Sequence, residues 1–193
     1  PECKVLREKI ANLYQVEKDN VYLSNGSDDI LNFAFMAFGE KGVVFPEISY
    51  GFYKVFAELY GIEFEAIPLR EDFSICPSDY YGKNKLIVIA NPNAPTGLVL
   101  SVSEIRKILD TNPESVVVID EAYIDFGGES CCKLIKEYKN LLVVQTFSKS
   151  RSMAGARLGF CFADKEIIDD LNKIKYSTNP YNVNRVTACM GIG

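Results

Sequence analysis

What most constrains this chain is an alternation. Seven short apolar runs, at residues 21–24, 42–45, 62–69, 85–91, 115–120, 141–147 and 157–163, are separated by segments with helical spacing. Short runs of β-branched and aromatic residues bounded by turn residues read as strands, while apolar residues three and four apart read as one face of a helix. Helices are expected at 4–14, 30–38, 51–60, 101–110, 132–138 and 165–175, the fourth capped by Ser101 or Ser103. The runs at 85–91 and 115–120 are almost continuously apolar, as in strands covered on both faces. Strands alternating with helices predict an α/β fold with a largely parallel sheet. In such sheets ligand sites form beyond the carboxyl ends of the strands. The segments 91–97, 120–123 and 146–149 fall there.

Composition excludes several chemistries. The chain has 193 residues and no histidine. That removes Ser-His-Asp and Cys-His nucleophile systems, histidine general bases and histidine zinc sites. The six cysteines form no C-x-x-C pair, and Cys131 and Cys132 are adjacent. Reduced thiols, a cytoplasmic location and no metal are expected. A net charge of −5 gives no reason to expect a nucleic-acid or membrane partner. No apolar run approaches the ~20 residues of a spanning helix. No signal peptide is visible, and because the chain begins at Pro1 rather than Met, part of the natural protein is expected upstream.

The remaining chemistry rests on Lys, Tyr, carboxylates, thiols or a cofactor. Lys149 follows the buried run at 141–147 and sits among small polar residues, in the sequence Thr146-Phe147-Ser148-Lys149. Partial removal from water is expected there, and desolvation favours a neutral amine able to form a Schiff base. Arg157 follows Ala154 and Gly155, and a guanidinium binds phosphate through two parallel hydrogen bonds. Asp120 ends a buried strand and suits a protonated pyridine nitrogen, with Tyr123 three residues on as a donor to a ring oxygen. Gly26-Ser27-Asp28 opens a helix, where backbone N–H groups attract anions. Tyr50 precedes another helix and could stack on a flat ring or sit in the core. The stretch at 91–97, with Pro92, Pro95 and Gly97, reads as a rigid turn with a candidate cis bond between Ala94 and Pro95. Taken singly, each feature has an ordinary explanation as a cap, a turn or a surface charge. No G-x-x-x-x-G-K-[ST] loop supports a nucleotide site instead.

The spaced set N-G-S-D, S-Y-G, N-P-N-A-P-T-G, D-E-A-Y and S-K-x7-R, in that order over positions 25–157, resembles the fold-type I aminotransferases, which depend on pyridoxal 5'-phosphate. Within them, D-E-A-Y-I-D-F at 120–126 and P-Y-N-V-N at 180–184 are most similar to the histidinol-phosphate aminotransferase group. The resemblance implies a three-layer α/β/α sandwich with a mostly parallel mixed sheet, residues 1–193 being the cofactor-binding large domain. An amino-terminal arm and a carboxy-terminal small domain are expected outside them. By the same resemblance, Lys149 would hold the cofactor as a Schiff base and move the substrate proton. Asp120 would pair with the pyridine nitrogen, Tyr123 would contact the ring oxygen, and Tyr50 would stack on the ring. Ser27, Asp28 (through its backbone), Thr146, Ser148 and Arg157 would hold the phosphate. One departure stands out: Ala94 occupies the place where the family often has an asparagine facing the ring oxygen, so Asn93 is the expected substitute.

The implied activity is amino transfer between L-histidinol phosphate and 2-oxoglutarate in histidine biosynthesis, by a homodimer. Two alternatives remain open. One is a related enzyme such as a threonine-phosphate decarboxylase or another aminotransferase. The other is a non-catalytic piece that only binds cofactor. Weak or absent turnover is expected from these residues alone.

Overall fold

Alternation within single strands explains the layering. The computed structural model describes residues 2–193. Among them, seven strands form one sheet: β1 (Val21–Ser24), β2 (Val43–Pro46), β3 (Phe64–Ile67), β4 (Leu86–Ala90), β5 (Val117–Asp120), β6 (Leu141–Thr146) and β7 (Gly159–Ala163). Successive side chains of a strand point to opposite faces. In β5, Val117 and Ile119 join one apolar cluster and Val118 joins the other; in β6, Leu141 and Val143 part from Leu142 and Val144 in the same way. Six helices cover the faces: α1 (Lys4–Tyr14), α2 (Ser27–Phe38), α3 (Phe52–Tyr60), α4 (Val102–Thr111), α5 (Lys165–Thr178) and the short α6 (Arg185–Met190). Apolar residues of α1 and α4 pack into the first cluster, and those of α2, α3 and α5 into the second. The result is the expected three-layer α/β/α sandwich.

The strand order is β1-β7-β6-β5-β4-β2-β3. Strands β2 to β6 pair in parallel, while β7 runs antiparallel to both β6 and β1. That register gathers distant residues at one edge. Ala90 pairs with Asp120, Asp120 with Val144, Thr146 with Gly159, and Gly159 with Ser24. The ends of β1, β4, β5 and β6 and the start of β7 therefore converge. Gly159 has to be glycine for this, because a Cβ there would lie 2.3 Å from the carbonyl carbon of Gly26 and the nitrogen of Ser27.

Two local expectations change. Residues 132–138 do not form an α-helix: Cys131–Lys136 is a 3-10 segment. Its start is tied down by Ser130, which caps Cys132 N–H, and by Glu121, which accepts Cys131 N–H at 2.6 Å. A segment anchored so close to the sheet has room only for tight turns. The cis peptide lies between Asn91 and Pro92, not before Pro95; Pro95 sits inside a turn closed by Gly97 N–H on the Asn93 carbonyl at 2.8 Å. The cap of α4 is Ser101, in a reciprocal capping box with Glu104. No helix among the described residues is long and apolar enough to cross a membrane.

Candidate active site

At the converging edge, on the α2–α3 side of the sheet, lies an open cleft. Nine of the ten residues singled out from the sequence line it: Ser27, Asp28, Tyr50, Asp120, Tyr123, Thr146, Ser148, Lys149 and Arg157. The period of two decides which ones can. Asp120 follows Val118 on the same strand face, and Thr146 follows Val144, so both point to the α2–α3 side.

Asp120 forms the buried floor, at 5% exposure. Its carboxylate accepts from Tyr53 Oη at 2.8 Å and from Ala122 N–H at 3.2 Å. Burial pushes its pKa up to about 6, against the pull of those two donors. Lys149 rises opposite, with Nζ 5.0 Å from the centre of the Tyr123 ring. It is exposed rather than partly withdrawn from water. The reason is that β6 ends at Thr146, and Lys149 sits on the turn beyond, closed by Ser152 N–H on the Lys149 carbonyl at 3.0 Å.

The other end of the cleft brings together a helix start and a guanidinium. Helix α2 starts at Ser27 with Gly26 as its cap and no side chain on its first N–H groups. Gly26 has φ 85°, and a Cβ there would meet Arg157 Nη2 at 2.5 Å. The guanidinium is thus pressed against the helix start. Arg157 itself is left-handed, at φ 55°, a conformation that costs a non-glycine residue about 1–3 kcal/mol and tends to mark ligand clamps. Its side chain lies 3.5 Å from Asp28 Oδ2, the outer limit of a hydrogen bond, and the pair is nearly half exposed. Such a pair is weak and leaves guanidinium donors available. Thr146 Oγ1 accepts from Ser148 N–H at 3.1 Å, which folds the strand end toward the same spot. Tyr50 donates to Asp28 Oδ1 at 2.9 Å and stacks on Phe52; burial and the neighbouring Asp28 carboxylate both raise its pKa.

Asn93 is the exception. It is 1% exposed and does not line the cleft, because its amide is already committed. It accepts from Ser49 Oγ at 2.8 Å and donates to the Ile48 carbonyl at 3.0 Å and to Thr96 Oγ1 at 3.3 Å. Its effect on the cleft is indirect, through the loop that carries Tyr50. The wall at that point is Ala94.

Residues 3–188 match the model of the family described as aminotransferase class I and II. The chain belongs to this family. It is 51% identical, over its whole length, to a histidinol-phosphate aminotransferase of Clostridium botulinum, strain Langeland, and covers 55% of that protein. It therefore spans about half the length of the curated relatives it matches. The solved histidinol-phosphate aminotransferase of Clostridium acetobutylicum superposes with a TM-score of 0.89 at 28% identity, over 98% of this chain and 58% of that one. The enzyme of Sinorhizobium meliloti, solved in complex with pyridoxal-5'-phosphate, superposes equally well at 20% identity, a likeness of fold, over 100% of this chain and 55% of that one.

For a class I and II aminotransferase, the residues that sequence reasoning passed over are instructive. Tyr53 is fully buried and supports Asp120, yet it looked like one more apolar position on α3. Its hydroxyl carried no signal without knowing that Asp120, 67 residues away, lies above it. Glu121 points to the opposite face, 1% exposed, where it accepts from Ser130, Cys131 N–H and Gln145. The sequence offers a carboxylate pair; the pleat sends only one of the two into the cleft.

Proposed function

We propose that residues 1–193 act as the pyridoxal-phosphate-binding large domain of a cytoplasmic, homodimeric aminotransferase that moves an amino group between L-histidinol phosphate and 2-oxoglutarate in histidine biosynthesis. The observation that carries this is the convergence, in one cleft, of an exposed lysine, a buried carboxylate and a helix start with a guanidinium beside it. The 51% identity to a histidinol-phosphate aminotransferase supports the choice within the family.

The groups present fit the cofactor. Backbone N–H groups at Ser27 and Asp28, the hydroxyls of Thr146 and Ser148, and Arg157 would hold its phosphate. The close Gly26–Arg157 approach supports this cup. Asp120 would accept from the pyridine N–H. A cation in front of this carboxylate offsets the cost of its burial and favours the charged form. Tyr50 would lie against the ring and Tyr123 would contact its oxygen, with no asparagine beside it. When bound, pyridoxal phosphate supplies an electron sink for negative charge at the substrate α-carbon. Lys149 Nζ would carry the cofactor and later hold the proton removed at that carbon. The side chains that the resemblance places on an arm and a small domain are not among these residues, so weak or absent turnover is expected from this chain alone.

The test is the visible spectrum of the chain with added pyridoxal phosphate, before and after borohydride, beside Lys149→Ala. A yellow band abolished by borohydride, with label mapped to Lys149 and absent in the variant, is the expected result. A folded protein without band or label overturns the cofactor assignment. For the substrate, the full-length protein should transfer the amino group of L-histidinol phosphate to 2-oxoglutarate without releasing carbon dioxide; release of carbon dioxide from a phosphorylated amino acid points instead to a decarboxylase.

A further inference from the structure

Lys149 has a flexible stem, and its Nζ makes no hydrogen bond or ion pair among the described residues; it lies over the Tyr123 ring. A reacting amine has to be aimed, and a long unbranched side chain does not aim itself. The turn that carries it, however, is tied down two residues later. Arg151 Nη2 donates to Tyr14 Oη at 2.8 Å. Its guanidinium carbon lies 4.8 Å from the centre of the Phe147 ring and 5.3 Å from that of Phe160, and it pairs with Asp125 at 3.8 Å. Ser150, between the two, also donates to Asp125.

Beyond Arg151 the contacts continue as a chain. Tyr14 Oη donates to Gln145 Oε1 at 2.6 Å, and Gln145 Nε2 donates to Glu121 Oε2 at 2.8 Å. Glu121 is anchored by its own N–H on the Val144 carbonyl at 2.7 Å and is covalently next to Asp120. One network therefore joins the floor of the cleft, the end of β6, helix α1 and the lysine turn. Tyr14 is 137 residues from Arg151, so the link exists only in the folded chain. Arg151, Tyr14, Gln145 and Glu121 are each partly or fully withdrawn from water, where hydrogen bonds hold geometry more firmly than at the surface, while Asp125 and Ser150 are exposed.

We propose that Arg151 is a positioning residue for Lys149. Its guanidinium, lying against the Phe147–Phe160 ring pair and tied to Tyr14 and Asp125, sets the 149–152 turn in register with Asp120. This inference rests on Lys149 being the cofactor lysine. It adds that the amine is held ready by a network whose side chains lie on the far face of the sheet and do not line the cleft, although Arg151 Nη1 also meets the Thr146 carbonyl at 3.5 Å.

The test separates aiming from binding. Pyridoxal phosphate condenses with the lysine amine by losing water, and borohydride then fixes the C=N bond as a stable amine. Pyridoxamine phosphate carries an amine in place of the aldehyde and cannot condense, so its affinity reports the cup and ring pocket alone. In Arg151→Met, which keeps the apolar stem, the rate of borohydride-fixed labelling at Lys149 should fall about tenfold, a typical cost of a misplaced reacting group. Affinity for pyridoxamine phosphate should change by less than about threefold, in keeping with contacts left in place. Tyr14→Phe removes only the hydroxyl and should slow labelling in the same sense by a smaller factor; it decides the matter if Arg151→Met does not fold. Unchanged labelling overturns the proposal. So does a parallel loss of labelling and pyridoxamine phosphate affinity, which marks a general structural role. If the unaltered chain binds pyridoxamine phosphate but is never labelled at Lys149, the assignment of Lys149 itself is what fails.

Discussion

The two faces of the sheet at the end of β5 carry neighbouring carboxylates in opposite circumstances. Asp120 looks into the cleft, and Glu121 looks toward α1 and the 3-10 segment Cys131–Lys136. Both are buried, and burial raises both, Asp120 to about 6 and Glu121 to about 7. Glu121 meets three protein donors that hold both of its oxygens, from Ser130, Cys131 and Gln145. Asp120 has one donor on each oxygen, Tyr53 and Ala122 N–H, and faces open cleft. A buried acceptor with all its partners supplied is structural, whereas one with spare capacity and an opening before it is available to a ligand. Spare acceptor capacity before an opening separates the two groups, whereas burial and pKa direction are shared by both.

Substitutions can break this contrast. The largest effect on stability is expected from Glu121→Ala. It strands three donors, two of them buried, and should cost about 2–4 kcal/mol, read as a fall in the midpoint of denaturant unfolding. Pyridoxamine phosphate affinity of the folded fraction should stay close to the parent's. A neutral or stabilised Glu121→Ala chain would mean that the network is not structural.

Asp120→Asn should do the reverse. Both carboxylates have folded pKa values above their unfolded ones. Their stabilising contribution is therefore present in full below about pH 4 and is lost as pH rises through about 6 for Asp120 and about 7 for Glu121. At pH 8 the cofactor-free chain carries the cost of an ionised Asp120, about 3 kcal/mol at most. Asparagine removes that cost. The variant should gain about 1–3 kcal/mol at pH 8 and nothing near pH 4, measured by unfolding at both pH values, while its affinity for the cofactor drops. A pH-independent change in stability would refute this account of Asp120.

The smallest change is Tyr53→Phe. It deletes one of the two donors to Asp120 and should cost about 1 kcal/mol. The acid titration of Asp120 should move further upward, and the shift should be visible in the pH dependence of unfolding. An effect as large as that of Glu121→Ala would erase the difference between the two sites.

Much of this was legible in the chain itself. The seven apolar runs became the seven strands with their ends moved by at most two residues, and strands buried on both faces, such as β4 and β5, are apolar nearly throughout. The polar and glycine residues at and just past the ends of those runs marked nine of the fourteen residues that line the cleft. What escaped was of two kinds. Helix α6 is six residues long, too short to show a period. The segment at 132–138 has helical spacing, but its anchoring to Glu121 is a tertiary contact that spacing does not contain. Asn93 illustrates the same limit: its residue type and its place beside Ala94 suited a ligand contact, and only the fold reveals that Ser49, Ile48 and Thr96 already occupy its amide.

The amino-acid sequence by itself therefore determined the layered fold and which strand ends would carry polar groups. Hydrophobic periodicity is local, and so are the turn and cap preferences that bound each element. Tertiary structure alone decided which of two adjacent carboxylates enters the cleft, that Lys149 stands exposed on its turn, and that Tyr14 and Arg151 meet across 137 residues. Those outcomes depend on strand register and on hydrogen-bond partners far apart in the chain. A one-residue change of register turns a side chain to the other face, and no local pattern fixes where a distant donor will lie.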